Sequence, residues 1–155
     1  MGPPGHFAVA LAVKPTVPRV PPWLLLLVSE VLDLLAFGFM ALNIERGAPD
    51  PWFPFSHGLF MSIVWSTSAG MIVYPFFRNV RTSFAIGCLV FSHWALDFIS
   101  HEPDLPLLFK GSPLVGLGLE SSILVGLIME LSMFAGGIAV YLVWRKRQTK
   151  DQSIA

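Results

Sequence analysis

Between Ser92 and Pro106 the chain reads SHWALDFISHEPDLP, in which His93, Asp97 and His101 follow one another at i, i+4 and i+8 and Asp104 comes seven residues after Asp97. Imidazole nitrogen with carboxylate oxygen is a ligand set suited to zinc, manganese or iron. On a continuous helix the four side chains fall near one face, polar against an otherwise apolar segment. Residues four apart lie about 6 Å apart along the axis and residues eight apart about 12 Å, so His93 and His101 do not share one ion on a straight helix. Two solutions are open. Either a pair such as Asp97 and His101 is completed from other helices, or the helix ends near Ser100 and the HEPDLP turn folds back. Pro103 and Pro106 fit the second, because the residue before a proline is pushed out of the helical region.

Other ionisable residues lie inside apolar segments. Glu30 and Asp33 stand three apart within residues 23–42, His57 opens the segment 56–77, and Glu120 and Glu130 belong to the segment 119–144. A carboxylate near the centre of a bilayer costs about 2.5–3.5 kcal/mol on the insertion scale, so it faces a bundle interior or a cavity. Counting depth at about 1.5 Å per residue sorts these groups into two layers. His57, Asp97, His101, Asp104 and Glu120 form an outer one, and Asp33, His93 and Glu130 a deeper one with Glu30 a turn below. Such convergence is compatible with a metal ion that activates a water, a remaining carboxylate serving as general base, for which Asp33 and Glu130 are the candidates. A proton relay is the competing use of the same residues and needs no metal.

The frame for these residues is a membrane protein. Over 155 residues the chain is 54% hydrophobic and only 13% charged, with a mean hydropathy of +0.67, too apolar for an ordinary soluble domain. A formal net charge of zero, with basic residues spread over loop ends, argues against nucleic acid as a partner. The lone Cys88 excludes an intrachain disulfide and a cysteine-rich metal site. The predicted fold is all-α: a single transmembrane domain, residues 1–155, with spans over 23–42, 56–77, 83–100 and 119–144. Gly5 to Val13 adds a short helix carrying His6; nine residues are too few to cross a bilayer that needs about 20, so it is interfacial or re-entrant. No positive charge precedes it, which argues against a cleaved signal peptide.

Between the spans, Pro49, Pro51 and Pro54 stiffen a connection around Trp52, Ser56 is a natural N-cap for the second span, and WSTSAG (65–70) supplies small residues for close helix packing. Residues 110–118 are glycine-rich but lack the ending of a phosphate-binding loop. Lys14 and Arg19, then Arg78 and Arg81, then Arg145, Lys146, Arg147 and Lys150 mark one side of the membrane. The positive-inside rule then puts both termini in the cytoplasm and the histidine-rich stretch toward the outer side of an inner membrane.

The chain resembles the YdjM-like family of LexA-regulated prokaryotic inner-membrane proteins, described as membrane-bound metal-dependent hydrolases. The resemblance rests on GH near the start (Gly5, His6), LDLL in the first span (Asp33), SH opening the second (Ser56, His57) and SHWALDFISHEPDLP in the third, the last being the specific motif. It implies that His6, Asp33, His57, His93, Asp97, His101 and Asp104 are metal ligands. Two functions are expected on these grounds. One is a hydrolase with a zinc, manganese or iron site near the outer face, acting on an amphiphilic or lipid-linked substrate among membrane lipids. The other is a non-catalytic accessory subunit of a larger membrane complex that binds a partner, or a haem or chlorin, through a histidine.

Overall fold

The computed structural model describes residues 1–47, 52–109 and 111–154. Pro49 and Pro51 of the stiffened connection, and Lys110 at the head of the glycine-rich loop, lie outside the described residues. The elements in order are α1 (Pro3–Val13), a 3-10 turn (Lys14–Thr16), α2 (Pro22–Ser29), α3 (Val31–Ala41), α4 (Leu59–Phe77) and α5 (Val80–Ser100). A small antiparallel ribbon of β1 (Leu105–Pro106) and β2 (Leu114–Val115) follows, then α6 (Ile123–Ile154). The protein is mostly helical, and α4, α5 and α6 are each long and apolar enough to cross a membrane. A fourth candidate exists if α2 and α3 count as one span, bent by 52°.

That bend corrects the expectation of a straight first span. Neither glycine nor proline marks it. At the break the Ser29 hydroxyl donates back to the Leu26 carbonyl at 2.8 Å, a contact also made without a break by Ser92 in α5. Glu30, at φ −100° and ψ 10°, closes α2 and opens α3.

The other boundaries also move for local reasons. Asn79 caps α5 by accepting from the Thr82 amide at 3.0 Å, so that helix begins at Val80 rather than Ser83. Ser56 does not cap α4, which starts three residues later behind Gly58; its hydroxyl donates to buried Glu45 instead. The basic stretch expected as a tail after Trp144 continues α6 to Ile154, in keeping with the helix propensity of Arg, Lys and Gln.

α5 is the most enclosed of the long helices, with α4 and α6 leaving most of their apolar surface exposed. Its Ile86, Leu89, Val90 and Trp94 meet Leu25 and Val28 of α2, Leu32 of α3, Ala10 of α1 and Val17 and Val20 of the following turn. α4 crosses it antiparallel through small residues: a Cβ at Gly70 would stand 2.9 Å from the Ser83 carbonyl, and one at Gly87 would stand 2.9 Å from that of Ser66. α1 runs parallel to α6, from Gly2 beside Glu130, past Ala8 against Gly137, to Lys14 at 5.1 Å over the Trp144 ring. Lys14 also donates to the carbonyls of Pro18 (2.8 Å) and Val20 (2.6 Å), which fixes the turn into α2. The chain therefore enters the bundle as a half-length helix, with the Met1 amine at the site end of α1 and Lys14 level with the basic end of α6.

The close crossing makes a prediction. Gly87→Ala should destabilise the protein by about 1–3 kcal/mol, because the new methyl meets backbone that cannot yield. Gly38→Ala, with nothing within 4 Å, should be neutral or stabilising. Thermal unfolding of the two variants in detergent checks this; equal midpoints would contradict the packing.

Candidate metal centre

α5 ends at Ser100, and the chain folds back over its end. The last turn of a helix leaves its carbonyls without intrahelical partners. Here the amides of Leu117, Leu119, Glu120 and Gly118 donate to the carbonyls of Phe98 (2.8 Å), Ile99 (3.1 Å), Ser100 (3.0 Å) and His101 (2.6 Å). The return of the chain by the HEPDLP turn, one of the two solutions open in the sequence, is the one adopted. It delays α6 to Ile123 and lays His101, Asp104 and Glu120 around the mouth of the site.

Asp97 is the hub, 2% exposed. Its Oδ2 lies 3.3 Å from His93 Nε2 and 3.6 Å from His57 Nε2. Its Oδ1 faces His6 Nε2 at 3.5 Å, His101 Nε2 at 3.8 Å and the Met1 amine at 2.9 Å. Asp33 Oδ1, from α3, reaches the same two imidazoles as Oδ2, at 3.2 Å from His57 Nε2 and 3.5 Å from His93 Nε2. His6 and His93 stack, their ring centroids 3.7 Å apart and their planes 4° from parallel.

The two layers expected from depth counting thus collapse into one cluster. His57 stands ahead of α4 in a tucked loop rather than in its first turn, and the bent α2–α3 pair turns Asp33 toward it. His6 reaches Asp97 because α1 is a half-length helix packed against α5 and α6. Asp104 does not join the cluster; its Oδ2 lies 3.4 Å from His101 Nδ1 and orients that ring. Glu130, a candidate general base, is not among the groups facing the imidazoles, since its carboxylate accepts the Gly2 amide. Glu30 stays at the helix break, accepting from the Ser29 hydroxyl at 3.2 Å. Glu120 Oε2 lies 3.8 Å from the Met1 amine, and its Oε1 is buried without a hydrogen bond.

The ring nitrogens turned away from the cluster are held by partners that the sequence did not single out. His93 Nδ1 donates to the Ser29 carbonyl at 2.7 Å; the break at Glu30 frees this carbonyl from the helical ladder. His57 Nδ1 lies 2.9 Å from the Ser56 hydroxyl, whose single proton goes to Glu45 Oε2 at 2.7 Å. The hydroxyl can then only accept from His57, so Nδ1 carries a proton and Nε2 is the atom turned to the cluster. Glu45 is itself anchored, Oε1 accepting the amides of Phe55 (2.7 Å) and Ser56 (2.8 Å). Both imidazoles are thus held with Nε2 turned to the cluster, the orientation that outer-shell partners give metal-binding histidines.

Two groups of donors lie close enough to hold an ion: His6, His93 and Asp97, and Asp33, His57 and His93. For bonds of about 2.0–2.1 Å, a tetrahedral zinc site places its donor atoms about 3.3 Å apart. Among His57, His93, Asp33 and Asp97 Oδ2, the four nitrogen–oxygen separations, out of six edges, run from 3.2 to 3.6 Å. Unpartnered atoms point to the same chemistry: His93 Nε2 and both nitrogens of His6 are buried without a hydrogen bond, and leaving such a group unsatisfied costs about 1–3 kcal/mol.

A cavity of about 200 Å³ adjoins the cluster, lined by Asp33, His57, His101 and Asp104 together with Phe37, Met40 and Phe53. Asp33 is the ligand-set carboxylate open to it, its side chain 35% exposed against 3% for Asp97. Comparisons with family models, curated proteins and solved structures find no match for the chain, so the chemistry of the site is read from its own geometry.

Glu45→Ala should destabilise the fold by about 2 kcal/mol or more, since it strands the Phe55 and Ser56 amides. It should also release the His57 tautomer. Nitrogen-15 spectra of metal-free protein labelled at histidine should show His57 protonated at Nδ1 in the wild type and a tautomer mixture in the variant. An Nε2-protonated His57 in the wild type would contradict the assignment.

Proposed function

We propose that this chain is a membrane-embedded, metal-dependent hydrolase acting on an amphiphilic or lipid-linked substrate. The observation that carries the proposal is the convergence of His57 and His93 Nε2 on Asp97 Oδ2, at 3.6 and 3.3 Å, near the donor spacing of a tetrahedral site with one position left open. His57, His93 and Asp97 would hold the ion, with Asp33 at its open side. A divalent ion there supplies Lewis acidity and a water of lowered pKa.

The remaining tasks fall to the protein's own groups. Asp33, exposed to the cavity and within 3.2 Å of His57 Nε2, is placed to accept a proton from an attacking water. Glu45 through Ser56, and the Ser29 carbonyl, keep the two imidazoles oriented. The cavity's polar and aromatic walls favour a molecule with a polar, cleavable end and an apolar body. Phe37, 64% exposed at the edge of this cavity, supports entry of such a molecule from the surrounding lipid.

In the proposed topology α2–α3, α4, α5 and α6 span an inner membrane and α1 is re-entrant. The basic residues of the turn after α1, the α4–α5 connection and the end of α6 lie toward the cytoplasm, and the cavity opens to the outer leaflet. The resemblance to the YdjM-like family supports the same reading. The accessory-subunit alternative, with haem or chlorin on a histidine, draws no support from imidazoles whose free nitrogens face carboxylates.

The test is metal content. Protein purified in detergent without chelators should carry zinc, manganese or iron, and His93→Ala and Asp97→Ala should each lower the bound metal at least tenfold. Glu30→Ala, at the helix break, should lower stability and leave metal content intact. Less than about a tenth of an equivalent in the wild type would remove the enzyme reading, because a site of this kind holds its metal through purification.

A further inference from the structure

We infer that the cluster is built for two divalent cations bridged by Asp97, the second held by His6 and His101. This inference rests on the metal-centre reading above and extends it from one ion to a pair.

The stacking of His6 on His93 carries the argument. A metal bound by imidazole lies in the plane of the ring, on the nitrogen lone pair, about 2.0–2.1 Å away. Two planes 4° from parallel, with centroids 3.7 Å apart, do not meet at such a distance. His6 and His93 therefore serve different ions unless one ring turns. The 3.7 Å between the stacked rings is compatible with the spacing of about 3.5–4 Å at which paired metals work.

The oxygens of Asp97 divide in the same way. Oδ2 faces His93 and His57, and Oδ1 faces His6 and His101. By these contacts no imidazole faces both oxygens, although His93 belongs to both groups of donors that lie close enough to hold an ion. Asp33 adds its carboxylate to the first set. Glu120 stands beside the second, with a buried oxygen that lacks a hydrogen bond.

Two further features mark the second position as a cation seat. His6 is 1% exposed, yet neither ring nitrogen has a hydrogen-bond partner. The place next to Oδ1 already attracts positive charge: the Met1 ammonium lies 2.9 Å from Oδ1, 2.7 Å from the Ser100 hydroxyl and 3.8 Å from Glu120 Oε2. His101 reaches Oδ1 from the exposed side, with Asp104 on its other nitrogen.

Titration of C-terminally tagged, metal-stripped protein with Mn²⁺, followed by electron paramagnetic resonance, reads both stoichiometry and coupling. The wild type should bind two equivalents and, once filled, show the exchange-coupled spectrum of a carboxylate-bridged pair. His6→Ala should bind one equivalent with an isolated six-line signal. His101→Ala, at an exposed position less demanding of the fold, should retain the first equivalent and weaken the second at least tenfold. One equivalent in the wild type, abolished by His6→Ala, would overturn the inference and leave a single-ion centre standing. No bound Mn²⁺, zinc or iron in the wild type would overturn both readings.

Discussion

A carboxylate buried to 2% exposure in an apolar bundle, Asp97, is the constraint from which the rest of the structure follows. Taking a charge out of water is expensive, and removing one partner of a buried pair is more damaging than never burying it. Asp97 is accordingly surrounded: four imidazoles and the Met1 amine approach it within 3.8 Å. A cluster with this many donors around two carboxylates has too few protons fixed by hydrogen bonds to satisfy every nitrogen. A divalent cation resolves that shortage, which is why the same geometry reads as a metal centre.

The scaffold delivers these partners through irregularities. The break at Glu30 frees the carbonyl that orients His93 and turns Asp33 inward. The Glu45 carboxylate tucks the Ser56–His57 loop under the start of α4 and fixes His57. The return of the chain over the end of α5 satisfies four carbonyls and positions His101. α1, too short to span, brings His6 beside α5. Regular helices supply the frame; the places where they stop supply the chemistry, as expected where irregular backbone is buried in protein rather than facing lipid.

Legibility in the sequence follows this division. The long apolar helices and the i, i+4 pairing of His93 with Asp97 were readable, because hydropathy and helical period are local properties. So was the end of α5 near Ser100, since ligand spacing left two outcomes and Pro103 and Pro106 fitted the one in which the helix stops. The bend at Glu30 was not, since neither glycine nor proline marks it. Depth counting separated Asp33 from His57 because it assumed straight spans beginning at their first apolar residue. Glu45 was missed altogether: a single acidic residue in a polar connection looks solvated until the fold closes Phe55 and Ser56 around it. Glu130 was drawn into the site by depth alone, whereas its helix face meets the start of α1.

The central claim is that His57, His93 and Asp97 coordinate a divalent ion through nitrogen and oxygen. Zinc K-edge X-ray absorption on zinc-loaded protein tests it most directly. The account predicts a first shell of nitrogen and oxygen at about 2.0–2.1 Å, with imidazole multiple scattering from at least two rings that diminishes in His93→Ala. A shell of oxygen alone without imidazole scattering, as for zinc held loosely at surface carboxylates, would contradict it.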